Sequence, residues 1–140
     1  MSQDSLMQEQ TLESAFPNVD PGVLPLGARV LVQLKTISKK TKSGLIMVEE
    51  TRDTEKYNTQ VGKIIYLGEL AFRNRETGAP WPEGVWACSG EFVRVPRWGG
   101  DRWSVPVPGS DEPANFVIFN DHEMIGKVTG DPLTMNTYIL

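Results

Sequence analysis

RVLVQLKTISKKTKSGLIMVEETRDTEKYNTQVGKIIYL, residues 29–67, decides how this chain is read. Its two ends, Arg29-Val-Leu-Val-Gln-Leu34 and Val61-Gly-Lys-Ile-Ile-Tyr-Leu67, are rich enough in β-branched and aliphatic side chains to predict strands. The second strand stops at Gly68, where glycine makes a turn sterically cheap. Between them, Lys35 to Gln60 is a connection of a length that is usually functional or disordered in a compact domain. Lys39, Lys40 and Lys42 precede its centre and Glu49, Glu50, Arg52, Asp53 and Glu55 follow it, a composition that cannot bury enough surface to fold alone. At the centre stands an apolar island, Gly44-Leu45-Ile46-Met47-Val48. Four such side chains in a solvated loop are candidates for an apolar groove on another protein. On composition alone, a further strand of the core is an equally open reading.

Outward from this stretch, Glu91-Phe-Val-Arg-Val95, Trp103-Ser-Val-Pro-Val107, Asn115-Phe-Val-Ile-Phe119 and Ile125-Gly-Lys-Val128 read as further strands, each bounded by glycine, proline, aspartate or asparagine. Pro106 inside a strand requires an edge or a bulge. A second long connection runs from Glu69 to Gly90. No stretch of ten or more residues keeps helical periodicity, so the fold class is all-β, a small barrel or sandwich. A single barrel from Leu24 to Val128 is expected around Val30, Val32, Ile64, Phe92, Val117 and Ile118. Residues 1–23 are polar, with Pro17 and Pro21 opposing helix, and read as a flexible extension. A brief helix over Thr11 to Phe16, capped by Thr11, is its one local signal. Residues 129–140 form a tail.

The chain of 140 residues supports one core, with 39 % apolar and 23 % charged residues. A net charge of −4 argues against a phosphate-backbone partner, so no nucleic acid is expected. No apolar run is long enough to span a membrane, and the first ten residues do not resemble a secretory signal. The lone Cys88 suits a reducing compartment, which makes the cytoplasm the default. One cysteine and one histidine, His122, provide no soft ligand set for zinc, and no metal is assigned.

Four pieces resemble, in order, the GroES-type co-chaperonins, the ten-kilodalton chaperonin family. Pro25-Leu26-Gly-Ala-Arg29-Val30-Leu31-Val32 is similar to the family's opening strand. Lys42-Ser43-Gly44-Leu45-Ile46-Met47 is similar to the tip of its mobile loop, and Val61 to Gly68 to the strand on which that loop returns. Ser89-Gly90-Glu91-Phe92-Val93 and Phe116 to Val128 are similar to its last turn and closing strands. Each alone is weak, and together they span Leu24 to Val128. Trp81-Pro-Glu-Gly-Val-Trp86 and Trp98-Gly-Gly-Asp-Arg-Trp103 depart from the family's pattern and leave the shape of the dome open. The long loop, the unusual roof and the N-terminal residues are more similar to virus-encoded co-chaperonins than to the cellular type, which would place the chain in a host cytoplasm.

The resemblance implies a GroES-like β-barrel with residues 35–60 as a mobile loop and residues 69–90 on the roof side. It implies a homo-oligomer, a ring of seven, that caps a GroEL-type chaperonin in its nucleotide-bound state and encloses unfolded substrate protein. Gly44, Leu45, Ile46 and Met47 are the chaperonin-binding residues it implies. ATP is bound by the partner, so no cofactor, catalytic residue or enzymatic activity is expected of this chain. In the family's ring the first strand of one subunit pairs with the last of its neighbour, which here sets Arg29 to Leu34 beside Ile125 to Val128. The alternative, without the resemblance, is a small β-barrel binding module for single-stranded nucleic acid or a protein ligand. An alcohol-dehydrogenase-like reading lacks both the glycine fingerprint and the zinc ligands. The four tryptophans are read as core or interface anchors, His122 as a turn residue, and Cys88 as an idle thiol.

Overall fold

The computed structural model describes residues 11–36 and 60–133. Their elements are a one-turn helix α1 (Leu12–Ala15) and strands β1 (Arg29–Leu34), β2 (Gln60–Leu67), β3 (Phe92–Val95), β4 (Asp101–Val105), β5 (Ala114–Asn120) and β6 (Gly126–Lys127). A 3-10 turn over Asp121–Glu123 separates the last two strands. All pairings are antiparallel, and the six strands form one sheet in the order β4-β5-β1-β2-β3-β6. All six sequence-predicted strands are present. The fourth starts two residues earlier than expected and ends at Val105, so Pro106 lies just past an edge strand and removes no ladder bond.

Strand β1 is central, and its alternation sends residues to two buried faces. Val30, Val32 and Leu34 join Ile64, Val93, Val95, Val117 and Phe119 in the main core. Leu31 points the other way, with Ala114 and Phe116. Of the six expected core residues, Val30, Val32, Ile64 and Val117 are fully buried. Phe92 and Ile118 are half-buried because they sit on the outer face, in the two smaller clusters. A register shift between Leu31 and Val32 bulges the β1–β2 pair, which increases local twist. Gly62 stands opposite Leu34, and a Cβ there would collide with Val32 Cγ1.

The sheet closes on itself through Arg102 of β4. Its Nη1 donates to Gln60 Oε1 at the start of β2 (3.1 Å), its Nη2 to the carbonyls of Pro96 (3.2 Å) and Arg97 (2.9 Å) after β3, and its Nε to Gly99 O (2.7 Å). One edge strand is thereby tied to strands on the far side of the sheet. Residues 69–90 cover one end of the core: Phe72 is fully buried, and Trp81 and Trp86 pack on it with ring centroids 5.5 and 5.7 Å away.

Two expectations are corrected. Residues 11–23, read as a flexible extension, lie across the outer face of the sheet. Phe16 is buried against Phe92, with ring centroids 5.1 Å apart, and shares a cluster with Val61 and Val128. Pro17 O accepts from Gln33 Nε2 at 2.8 Å, and Pro21 O from Trp103 Nε1 at 2.9 Å. The outer face offers apolar side chains at Leu31 and Val61, and the extension supplies the cover that a sheet packed on one side would lack. The brief helix is present, with Thr11 as its cap, but Leu12 remains 45 % exposed, so it does not share a buried face with Phe16. Secondly, β1 cannot pair with a neighbouring subunit, because β2 and β5 occupy both its edges. The free backbone edges among the described strands belong to β4 and β6.

Candidate functional site

Gly44, Leu45, Ile46 and Met47 lie outside the described residues, as do Lys39, Lys40 and Lys42. What the fold positions is the base of the connection that carries them. Leu34 is paired with Gly62, and the Lys35 N–H donates to Val61 O at 2.9 Å. The connection therefore leaves and re-enters the sheet on adjacent antiparallel strands, whose spacing is about 4.8 Å. Two other segments hold its first residues. The Thr36 N–H donates to Ala15 O at 2.9 Å, and Lys35 Nζ donates to Leu133 O at 2.9 Å. The N-terminal extension and the start of the tail thus meet at the root of the loop.

The other residues weighed in the sequence take structural places. Trp81 and Trp86 pack against each other at 5.0 Å, and Trp103 stacks on Phe116 at 5.8 Å. Trp98 alone stands largely exposed, with the Arg97 guanidinium 5.7 Å from its ring. Trp81 and Trp86 form one pair, Trp98 and Trp103 stand apart from it, and the four make no continuous stacking platform. His122 is exposed in the 3-10 turn, with Nδ1 3.6 Å from Asp121 Oδ1. Cys88 is exposed. Its backbone N–H donates to Glu91 Oε1 at 2.7 Å, and that bond, followed by the 3.0 Å contact with Lys127, holds the Glu91 carboxyl below its usual range. Among the described residues no cluster of histidine, cysteine and carboxylate could hold a metal ion.

Two apolar surfaces escaped the sequence reading. Leu24 and Leu26 are 66 % and 72 % exposed, beside a hollow that also involves Asp101 of β4 and Ile118. Near the other end of the sheet a groove of about 480 Å³ is lined by Val85, Trp86, Met124, Ile125 and the free-edged β6. The signal for the first was Leu24-Pro25-Leu26 itself, since proline favours an extended backbone, in which two leucines at i and i+2 share one side. The second joins residues about 40 apart, and no local pattern announces it.

Among the described residues no helix is long and apolar enough to cross a membrane. Comparison with curated proteins gives no match. Residues 22–128 match the family described as Chaperonin 10 Kd subunit, Cpn10. That span covers most of the chain, all six strands and both roots of the long connection. The chain belongs to the chaperonin 10 Kd subunit family, the co-chaperonins that work with GroEL-type chaperonins, which is not an enzyme family.

Proposed function

We propose that this protein caps a GroEL-type ring in its nucleotide-bound state, closing a chamber around unfolded substrate protein, and that Gly44, Leu45, Ile46 and Met47 make the contact. The observation that carries this reading is the family match across residues 22–128, which contains the apolar island and both of its roots. Burying Leu45, Ile46 and Met47 contributes about 5 to 9 kcal/mol before costs, at about 1.5 to 3 for each. Ordering a long polar connection consumes much of that. One loop binds weakly, and several on one ring bind tightly because each later contact is nearly intramolecular. Gly44 lets the chain turn into the groove at little steric cost. The nucleotide that drives the cycle is bound by the chaperonin, and the compartment is the cytoplasm.

The ring, seven copies in this reading, is built head to tail. The exposed Leu24 and Leu26 of one copy sit in the Val85–Ile125 groove of the next, next to the open edge of β6. Two different surfaces on one chain make a heterologous contact, which closes into a ring when the rotation allows. Co-sedimentation with a GroEL-type ring and ATP, together with refolding of a stringent substrate, tests the function. Wild-type protein should cap, and Ile46→Asp should not, because an unpaired charge cannot be buried in the groove. Unchanged capping by that variant, with its oligomer intact, would remove the docking role.

A further inference from the structure

A cavity of about 350 Å³ lies beside the root of the long connection, between β2, β4 and β5 and the turn after β3. Lys35, Gln60, Arg97, Arg102 and Asn115 are among the residues that line it, and the hydrogen bonds of the two amides and the charges of the other three bias it toward donors. Gln60 Oε1 is taken by Arg102 Nη1 at 3.1 Å, and Asn115 Oδ1 by the Ser104 hydroxyl at 2.7 Å. Each amide therefore keeps its NH2 as a donor. The other three are cations, and no carboxylate among the described residues lines the cavity. The Nε of Arg97 is buried with no hydrogen-bond partner, which costs free energy, and Arg97 is one of the lining residues. Burial, and then the neighbouring charge of Arg97, pull the Arg102 pKa down from its ordinary value. The two guanidinium groups thus repel each other in a setting that desolvates one of them.

We propose that this cavity is an oxyanion subsite that takes a phosphate group, bound by Arg97 and the amide groups of Gln60 and Asn115 within the field of Arg102 and Lys35. A phosphate suits this wall better than a single carboxylate. It carries up to two charges against several cations, it accepts through several oxygens, and guanidinium forks match it. The site is proposed to bind and not to hydrolyse, since among the described residues its lining has no carboxylate to hold magnesium or orient water. Two sources offer the same chemistry, free phosphate and the phosphate tail of a nucleotide.

The test is an NMR titration of the full-length protein without chaperonin, so it is independent of the docking role of the loop. Inorganic phosphate forms one arm and magnesium-free ADP the other, with ionic strength held constant by chloride. The Trp103 indole N–H and the Asn115 side-chain NH2 are followed. Saturable shifts are expected, and Arg97→Gln should weaken them about tenfold. Saturation in both arms means the phosphate group alone is recognised, in the ADP arm alone that a nucleotide is the source, and in the phosphate arm alone that the free ion is. Asn115→Asp can still accept from Ser104 but places a carboxylate in the wall, and should lose binding to a similar degree. Absence of saturation with either anion in the tens of millimolar range, or unchanged affinity in both variants, overturns the proposal.

Discussion

The carboxylate of Asp121, buried in the turn after β5, accepts a hydrogen bond from the backbone N–H of Phe72 at 2.8 Å. Phe72 is the non-glycine residue with a left-handed backbone among those described, at φ 61°, a conformation that a bulky side chain adopts only when its surroundings enforce it. Asp121 N–H is in turn bound to Ala28 O at 2.9 Å, ahead of β1. One side chain thus fastens residues 69–90 to the sheet and holds the aromatic cluster of Phe72, Trp81 and Trp86 over the core.

Asp121→Ala removes the acceptor and strands the Phe72 N–H in a buried site. The expected cost is about 1 to 3 kcal/mol, measured by urea unfolding. Tryptophan emission should shift to the red before the far-ultraviolet signal of the sheet is lost, because residues 69–90 detach first. A cost near zero would mean that packing alone holds Phe72 in place.

Gly62→Ala places a methyl group where Val32 Cγ1 already stands, and its next neighbour would be Gln33 O at 3.2 Å. Overpacking of this kind costs about 1 to 3 kcal/mol. Because Gly62 pairs with the last residue of β1, the loss should also loosen the root of the loop. Chemical denaturation checks the first effect and faster amide exchange at Lys35 the second.

Phe16→Ala empties a buried site between Phe92, Val61 and Val128 and should destabilise by about 3 kcal/mol. Residues 15–17 would then release Thr36 and Gln33. Hydrogen exchange should show the Thr36 amide losing protection while the central amides of β1 keep theirs. Equal loss across β1 would mean that the extension is an inseparable part of the barrel and not a strap on its surface.

Leu26→Asp should leave the subunit folded, since the side chain is largely exposed within it, and should break the ring. Native mass measurement at micromolar concentration is expected to show small species, and chaperonin capping should weaken steeply because the loops no longer bind together. A ring of unchanged mass would place the subunit contact elsewhere.

The β content was legible because alternation is a local property. Arg29 to Leu34 reads as a strand from its own side chains, and so does each of the other five. The apolar island at Leu45 to Met47 stood out against charged neighbours, and the order of four short motifs pointed to the family that residues 22–128 match. Neighbour choice was not legible. Period-two patterning marks a strand but does not say which strands lie beside it, and the neighbour for β1 implied by the family resemblance, the last strand of another subunit, gives way to β2 and β5.

Nothing local marks Arg102 or Asp121, whose acceptor and donor groups, on Gln60 and Phe72, lie 42 and 49 residues away. The N-terminal extension looked too polar to fold because its few apolar residues cannot make a core of their own. They needed only an apolar outer face on a sheet built elsewhere. What the sequence determined by itself is the set of strands, the apolar run among charged residues between two of them and the family. The tertiary structure decided which edges stay open, what covers the outer face and which cations share one cavity, because each depends on pairs of residues that only the closed sheet brings together.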